Sequence, residues 1–132
     1  MLSRSYAVVI CAHTARRWDD LAAAVTSVSI QTLRPAEVIV VIDHNPDLLH
    51  RAERQFDGLK IIPNRRSRGL SGARNTGVLE ATSDVVAFLD DDAVARPDWL
   101  ETLARHSARR RFGGGRVLGV GVSAVAAGAG GR

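Results

Sequence analysis

Two rhythms of apolar residues alternate along the chain. Tyr6 to Ala12 is a continuous apolar run rich in β-branched residues. Such runs fit strands buried on both faces, as in parallel sheets. From Trp18 to Ile30 the rhythm changes: Leu21, Val25 and Val28 recur at helical spacing. Asp19 and Asp20 suit the start of that helix, and Pro35 marks its outer limit. Glu37 to Asp43 reads as a second buried strand that ends on a carboxylate. Asn45-Pro46 opens a short helix, Asp47 to Phe56, closed by Gly58. Leu59 to Ile62 is a third strand, stopped by Pro63, and Asn64 to Gly69 is a basic loop. Ser71 is placed to cap a helix running to about Ala81. Asp84 to Leu89 is a fourth strand that runs into Asp90-Asp91-Asp92. Pro97 then starts a helix from Asp98 to about His106, at its favoured first position.

This β-α-β-α-β-α-β-α order predicts an α/β fold, a mostly parallel sheet with helices on both faces. Ligands of such sheets bind beyond the carboxyl ends of the strands. His13, Asp43, the basic loop and Asp90 to Asp92 all follow strand ends, so they are expected to gather along one edge. Residues 1–108 form the expected domain. Residues 109–132 read as an Arg-, Gly- and Ala-rich tail, with one strand near Val117 to Val122 and fraying beyond it.

Composition narrows the class. A chain of 132 residues supports one ordinary domain, and 45% hydrophobic residues suffice for a core. Cys11 is the single cysteine, so no internal disulfide forms and no zinc-site spacing exists. No stretch reaches the ~20 apolar residues of a membrane helix. The run at Tyr6 to Ala12 is too short for a signal peptide. The expected location is the cytoplasm, including the inner face of the membrane. The net charge is +4, and Lys60 is the only lysine. Arginine suits bidentate capture of phosphate and carboxylate, so an acidic partner fits, although a compositional bias towards Arg and Ala gives the same excess.

Phe88-Leu-Asp-Asp-Asp-Ala93 is the strongest chemical signal. Three adjacent carboxylates at a strand end repel one another unless a cation neutralises them. In extended backbone Asp90 and Asp92 point to one side and Asp91 to the other. Two oxygen ligands there suit Mg²⁺ or Mn²⁺ that keeps positions for phosphate oxygens. The competing reading is a solvated acidic turn. Asp43 is placed to accept hydrogen bonds from a base or ribose, or to serve as an ordinary turn residue. Asn64 to Gly77 joins a basic loop to a helix N-terminus, which favours an anion, and Arg74 lies one turn in. Ala73 and Gly77 are small at i, i+4, so this helix is expected to lie close to the sheet.

Other signals fail. Gly119-Val-Gly-Val-Ser-Ala124 matches a dinucleotide fingerprint as a string but lacks the helix and strand that must follow, and no P-loop string occurs. The four histidines show no ligand spacing. Cys11 reads as packing and Arg109 to Arg111 as a solvated run. Aromatics are too scattered for a base-stacking platform, so no nucleic-acid partner is expected.

With these residues in view, Tyr6 to Leu103 resembles the amino-terminal half of a family 2 glycosyltransferase of the GT-A fold. Val8-Val-Ile-Cys-Ala-His-Thr14 resembles the opening strand and nucleotide loop. Glu37-Val-Ile-Val-Val-Ile-Asp43 resembles the second strand with its base-contacting acid. Arg68-Gly-Leu-Ser-Gly-Ala-Arg-Asn-Thr-Gly77 is similar to the family's G-L-S-x-A-R-N-x-G helix start, and Phe88 to Ala93 to its D-x-D strand end. The resemblance implies transfer of a sugar from a nucleoside-diphosphate sugar to an acceptor hydroxyl with inversion. The acceptor is left open: a glycan, a lipid or a small molecule. By the same resemblance Asp43 contacts the base, Asp90 sits near the ribose with Asp91 beside it, and Asp92 holds Mg²⁺ or Mn²⁺ on the diphosphate. Thr14 and Arg74 border the nucleotide. Peripheral membrane association is typical of the family when the acceptor is a lipid or cell-wall glycan.

One departure stands out. Family members are usually longer, and their second half supplies the acceptor site and the carboxylate base. No acidic residue follows Glu101. The chain is therefore expected to be a fragment, a frame-shifted product or half of a split enzyme, which binds nucleotide but transfers sugar poorly by itself. Two alternatives remain. One is an enzyme similar to a sugar nucleotidyltransferase, which would want a Gly-rich loop where His13-Thr-Ala-Arg-Arg17 stands. The other is a non-catalytic module that binds nucleotide or a polyanion.

Overall fold

The β-branched runs become the strands of one parallel sheet. A computed structural model of the chain describes residues 4–107 and the pair Val117–Leu118. In chain order the elements are β1 (Tyr6–Ala12), a 3-10 turn (Ala15–Arg17), α1 (Trp18–Ser29), β2 (Glu37–Ile42), α2 (Pro46–Gln55), β3 (Lys60–Pro63), α3 (Leu70–Glu80), β4 (Val85–Asp90), α4 (Trp99–Ser107) and β5 (Val117–Leu118). The strands lie in the order β3-β2-β1-β4-β5, and every neighbouring pair is parallel. The chain winds outward from β1 through β2 to β3, then returns across the sheet to place β4 on the other side of β1. The direction of winding reverses between β1 and β4, where open α/β sheets leave a crevice for ligands. Of the predicted tail strand, the structure describes Val117–Leu118 beside β4; the rest lies outside the described residues.

Period-two alternation splits the core into two layers. Val8, Ile10, Val40, Ile42, Val85, Ala87 and Leu89 face α1, α2 and α4, meeting Leu21, Val28, Leu48 and Leu100. Ala7, Val9, Ile39, Val41 and Val86 face the opposite way and meet Ala73. That second layer is thin, because among the described residues α3 is the one helix that covers it. A Cβ on Gly77 would stand 2.5 Å from Val9 Cγ1, so the predicted close approach of α3 requires glycine there. The strand register brings the tips level: Ala12 pairs with Ile42, and Cys11 with Asp90. His13, Asp43 and Asp90 therefore share one rim, as the order of elements predicted.

Three local expectations are corrected. Ser71 does not cap α3. It lies within the first turn, and Gly69 is the cap residue, with φ +123° and no side-chain cap bond. The helix starts two residues earlier than a serine cap allows because Gly69 is anchored by its own N–H to Asp43. Pro97 does not open the last helix at its first position. That helix begins at Trp99, and the Pro97 carbonyl instead accepts from the Thr32 N–H at 2.8 Å, tying the segment to the end of α1. Asp90 ends β4, but Asp91 and Asp92 are not extended: the Ala93 N–H donates to the Asp90 carbonyl at 3.1 Å and closes a turn.

Candidate functional site

The turn at the tip of β4 separates the three carboxylates by environment. Asp90 is about two-fifths exposed, with a side-chain value of 39%, and Arg74 Nη2 from α3 stands 3.7 Å from its Oδ1. The Arg74 guanidinium also lies 5.2 Å from the centroid of the Phe88 ring, which fixes its height above the sheet. Asp91 turns inward until 9% of its side chain is exposed, and Arg17 Nη2 from the 3-10 turn reaches it at 3.4 Å. Burial pushes the Asp91 carboxyl above the usual range, and the neighbouring Asp92 adds to this while Arg17 opposes it. Arg17 Nε is itself buried without a hydrogen-bond partner. Asp92 is exposed and has no hydrogen-bond or ion-pair partner among the described residues.

These groups line one cavity of about 290 Å³, between the tips of β1 and β4. Its walls carry Cys11, His13, Arg17, Leu70, Arg74 and Asp90 to Asp92. It combines two guanidinium groups with three carboxylates, a lining for a polar, charged ligand. Among the described residues no group of three or more His, Cys, Asp or Glu is placed to hold a metal ion by itself. A cation here would need ligand oxygens as well. Magnesium sites built on one or two carboxylates plus phosphate oxygens have that composition.

Asp43 sits at the tip of β2 in a second, adjoining cavity of about 300 Å³, lined by Cys11, Ala12, His13, Asp43, Arg68, Gly69, Leu70 and Ala73. Its carboxylate is held on three sides. Oδ1 accepts from Asn64 Nδ2 at 2.9 Å and from His44 Nδ1 at 2.7 Å. Oδ2 accepts from the Gly69 N–H at 2.9 Å. Burial acts to raise its pKa, but these bonds outweigh it and hold the carboxyl below the ordinary value. His44 follows in a left-handed conformation, φ 52°, an uncommon setting for a residue with a Cβ.

The structure thus brings Asp43, Arg74, Asp90, Asp91 and Asp92 to one rim across two cavities that share Cys11, His13 and Leu70. Thr14 is placed differently. Its Oγ1 accepts from the Arg16 N–H at 3.1 Å and caps the 3-10 turn, and it lines neither cavity. Cys11 is half-buried between the cavities, with its thiol pushed up to about 12 by burial, against the pull of Arg74. A thiol so protonated is no nucleophile at neutral pH.

Two residues that matter were not singled out from sequence. Asn64 is buried and joins four groups: Nδ2 donates to Asp43 and to the Ser67 carbonyl, while Oδ1 accepts from the Arg66 N–H and from Thr76 Oγ1. Arg17 stands in the His13-Thr-Ala-Arg-Arg17 string after β1, yet its side chain crosses to the β4 turn. The available signal for Asn64 was its place directly after a strand-ending proline.

The model of the family "Glycosyl transferase family 2" matches residues 7–121, beyond the Tyr6 to Leu103 span of the sequence resemblance. A glucosyl-dolichyl phosphate glucuronosyltransferase of Haloferax volcanii is 39% identical over 99 residues, which is 73% of this chain and 32% of that protein. The succinoglycan biosynthesis protein ExoW of Rhizobium meliloti is 39% identical over 96 residues, 67% of this chain and 29% of that protein. A pre-mycofactocin glycosyltransferase of Mycobacterium tuberculosis is 37% identical over 81 residues, 58% of this chain and 17% of that protein. The chain thus spans less than a third of each of these three relatives. Among the described residues no helix is long and apolar enough to cross a membrane. Because the family match runs from the first strand through the acidic turn and past α4, the chain belongs to glycosyl transferase family 2.

Proposed function

We propose that the chain is the donor-binding portion of a transferase that moves a sugar from a nucleoside-diphosphate sugar to an acceptor hydroxyl with inversion. One observation carries the reading: two adjoining cavities of opposite character lie on the same rim. The charged cavity, with Arg17, Arg74 and Asp90 to Asp92, suits a diphosphate and its counter-ion. The second, walled by Ala12, Leu70 and Ala73 around Asp43, suits a planar base. Family membership disfavours the nucleotidyltransferase alternative.

In this reading Asp92, exposed and unpaired among the described residues, is the metal ligand, with Asp90 beside it. Mg²⁺ or Mn²⁺ bound there would offset the negative charge that builds on a departing nucleoside diphosphate. Arg74 steadies Asp90, and Arg17 holds Asp91. Asp43 orients the base. These residues bind and orient the donor. Proton removal from an acceptor hydroxyl is a task for which no carboxylate follows Glu101 in these residues. The acceptor, and any attachment to a membrane surface, are left to chemistry outside this site.

Titration calorimetry of the 132-residue chain with nucleoside diphosphates, with and without Mn²⁺, tests the reading. Asp92→Asn should weaken metal-dependent binding by about tenfold or more, the worth of one lost charge-assisted contact, and change metal-free binding little. Binding to any polyanion, salt-sensitive and indifferent to metal, would overturn it in favour of a non-catalytic arginine-rich module.

A further inference from the structure

The acidic turn is fixed on one side by the sheet, where Asp90 pairs with Cys11. On its other side it runs into residues 93–96, which belong to no helix or strand. Backbone of that kind finds its hydrogen bonds elsewhere, because a buried N–H or C=O left unpaired is costly. The end of α1 supplies them. Ser27 Oγ accepts from the Ala95 N–H at 3.0 Å. Gln31 Nε2 donates to the Arg96 carbonyl at 2.7 Å, and the Thr32 N–H to the Pro97 carbonyl at 2.8 Å. Three consecutive residues after the turn are thus tied to one helix end.

Gln31 joins the most groups. Its amide carries two N–H donors and a carbonyl acceptor. Nε2 donates to the Ser27 carbonyl at 3.0 Å as well as to Arg96, and Oε1 accepts from the Leu100 N–H at 2.9 Å. Leu100 lies in the first turn of α4, where backbone N–H groups have no partner within the helix. Gln31 therefore caps α4 from another element. Gln31 and Ser27 are both buried, so water does not stand in for either.

Asp92 lies between these ties. It is exposed and has no hydrogen-bond or ion-pair partner among the described residues, so its neighbours set its position. Arg17, at the cap position of α1, holds Asp91 on one side, and Ser27, in the last turn of α1, holds Ala95 on the other. Both flanks of Asp92 are referred to the same helix. We propose that Ser27 and Gln31 are positioning residues for Asp92, which keep its carboxylate where a metal ion on a donor diphosphate can reach it. This inference rests on the donor-binding reading above and extends it to two residues that line neither cavity. Groups that orient a metal ligand matter to affinity without touching the metal, and losing one typically costs about tenfold or more.

The test measures binding of inorganic pyrophosphate to the full chain by titration calorimetry, with and without Mn²⁺, in the parent, Ser27→Ala, Gln31→Leu and Glu37→Gln. The readout is the gain in affinity that Mn²⁺ brings. A smaller folded fraction weakens both affinities alike and cancels in that ratio. Ser27→Ala and Gln31→Leu should each cut the gain by about tenfold and change metal-free affinity by less than about twofold. Ser27→Ala removes one hydroxyl and decides the matter where Gln31→Leu does not fold. Glu37→Gln, a change among the bonds to Thr82 and Ser83, should keep the full gain. A gain intact in the folded Ser27 and Gln31 variants overturns the inference, while the gain of the parent upholds the donor-site reading. An equal loss in Glu37→Gln would tie the gain to overall stability and also overturns it. So does a matching fall in metal-free affinity, which would make the arginines, and not Asp92, the groups that α1 positions. A parent chain without any Mn²⁺ gain overturns both readings.

Discussion

The Gly69 N–H donates to Asp43 Oδ2 at 2.9 Å, so the carboxylate at the tip of β2 anchors the residue that starts α3. The chain reaches that bond only with Gly69 at φ +123° and ψ 166°. This region is open essentially to glycine alone, and other residues pay about 1–3 kcal/mol to enter it. A Cβ at Gly69 would meet nothing within 4 Å, so the cost is purely one of backbone conformation. Gly69→Ala should therefore lower stability in urea denaturation by about 1–3 kcal/mol. It should also weaken nucleotide binding, because the Asp43 anchor shifts. A variant as stable as the parent would show that the loop adopts another path.

Glu37 makes a second anchor at the opposite end of the sheet, and it predicts an acid limit. Its Oε2 accepts from the Thr82 and Ser83 N–H groups and from Ser83 Oγ, while Oε1 meets Lys60 Nζ at 3.0 Å. Burial acts to raise its pKa, but these donors lower it from 4.5 to about 2. On acidification the unfolded chain takes up the proton first. The contribution of Glu37 is thus complete above its unfolded pKa of 4.5 and is lost as the pH falls towards 2. Asp43, also lowered, adds a loss of the same sign. Glu37→Gln should flatten the fall in melting temperature between pH 5 and pH 2, to about the extent that the carboxylate dominates it. An unchanged acid profile would rule out this assignment.

Much of the fold was legible because apolar runs and punctuation agreed. Tyr6–Ala12 was readable to the residue, since a run buried on both faces has no polar position at which to blur its ends. Asn45-Pro46 marked the start of α2 because the Asn45 side chain accepts from the Leu48 N–H and proline suits the first turn. The rim itself followed from strand order. What escaped were features made by contacts distant in sequence. Ser71 had the right chemistry for a cap, but Asp43, twenty-six positions before Gly69, decided where α3 begins. The Asp90 to Asp92 run looked extended because its apolar strand ran into it, while the Ala93 N–H closes it into a turn. Arg17 and Asn64 were visible as residue types but not as partners.

Gly77 tests how closely α3 rides on the sheet. A Cβ there would press against Val9 and Val41, both fully buried in the thin layer beneath α3. Gly77→Ala gains helix propensity of about 1 kcal/mol in an open helix, but here it forces the helix outward. Overpacking costs of about 1–3 kcal/mol should prevail, giving a net loss of stability in thermal or urea unfolding. The outward shift also moves Arg74, one turn away, so metal-dependent nucleotide binding should weaken in parallel. A stabilised Gly77→Ala would mean that β1 and β2 yield to the added methyl.

The pair of Arg17 and Asp91 shows which carboxylate of the triplet the fold itself satisfies. Asp91 is buried with 9% of its side chain exposed, and Arg17 at 3.4 Å is the cation beside it. Removing Arg17 leaves a buried carboxylate uncompensated, which costs about 1–3 kcal/mol. Arg17→Gln should therefore destabilise the chain by that order. Asp91→Asn removes the buried charge together with the need for its partner and should be close to neutral, as replacements of whole buried pairs often are. In the double variant the penalty of Arg17→Gln should largely disappear, because the two residues are in contact and act as one unit. The measurement is a double-mutant cycle in urea. Full additivity would show that Arg17 stabilises the 3-10 turn for its own sake and does not hold Asp91, leaving all three carboxylates to share whatever cation the rim attracts.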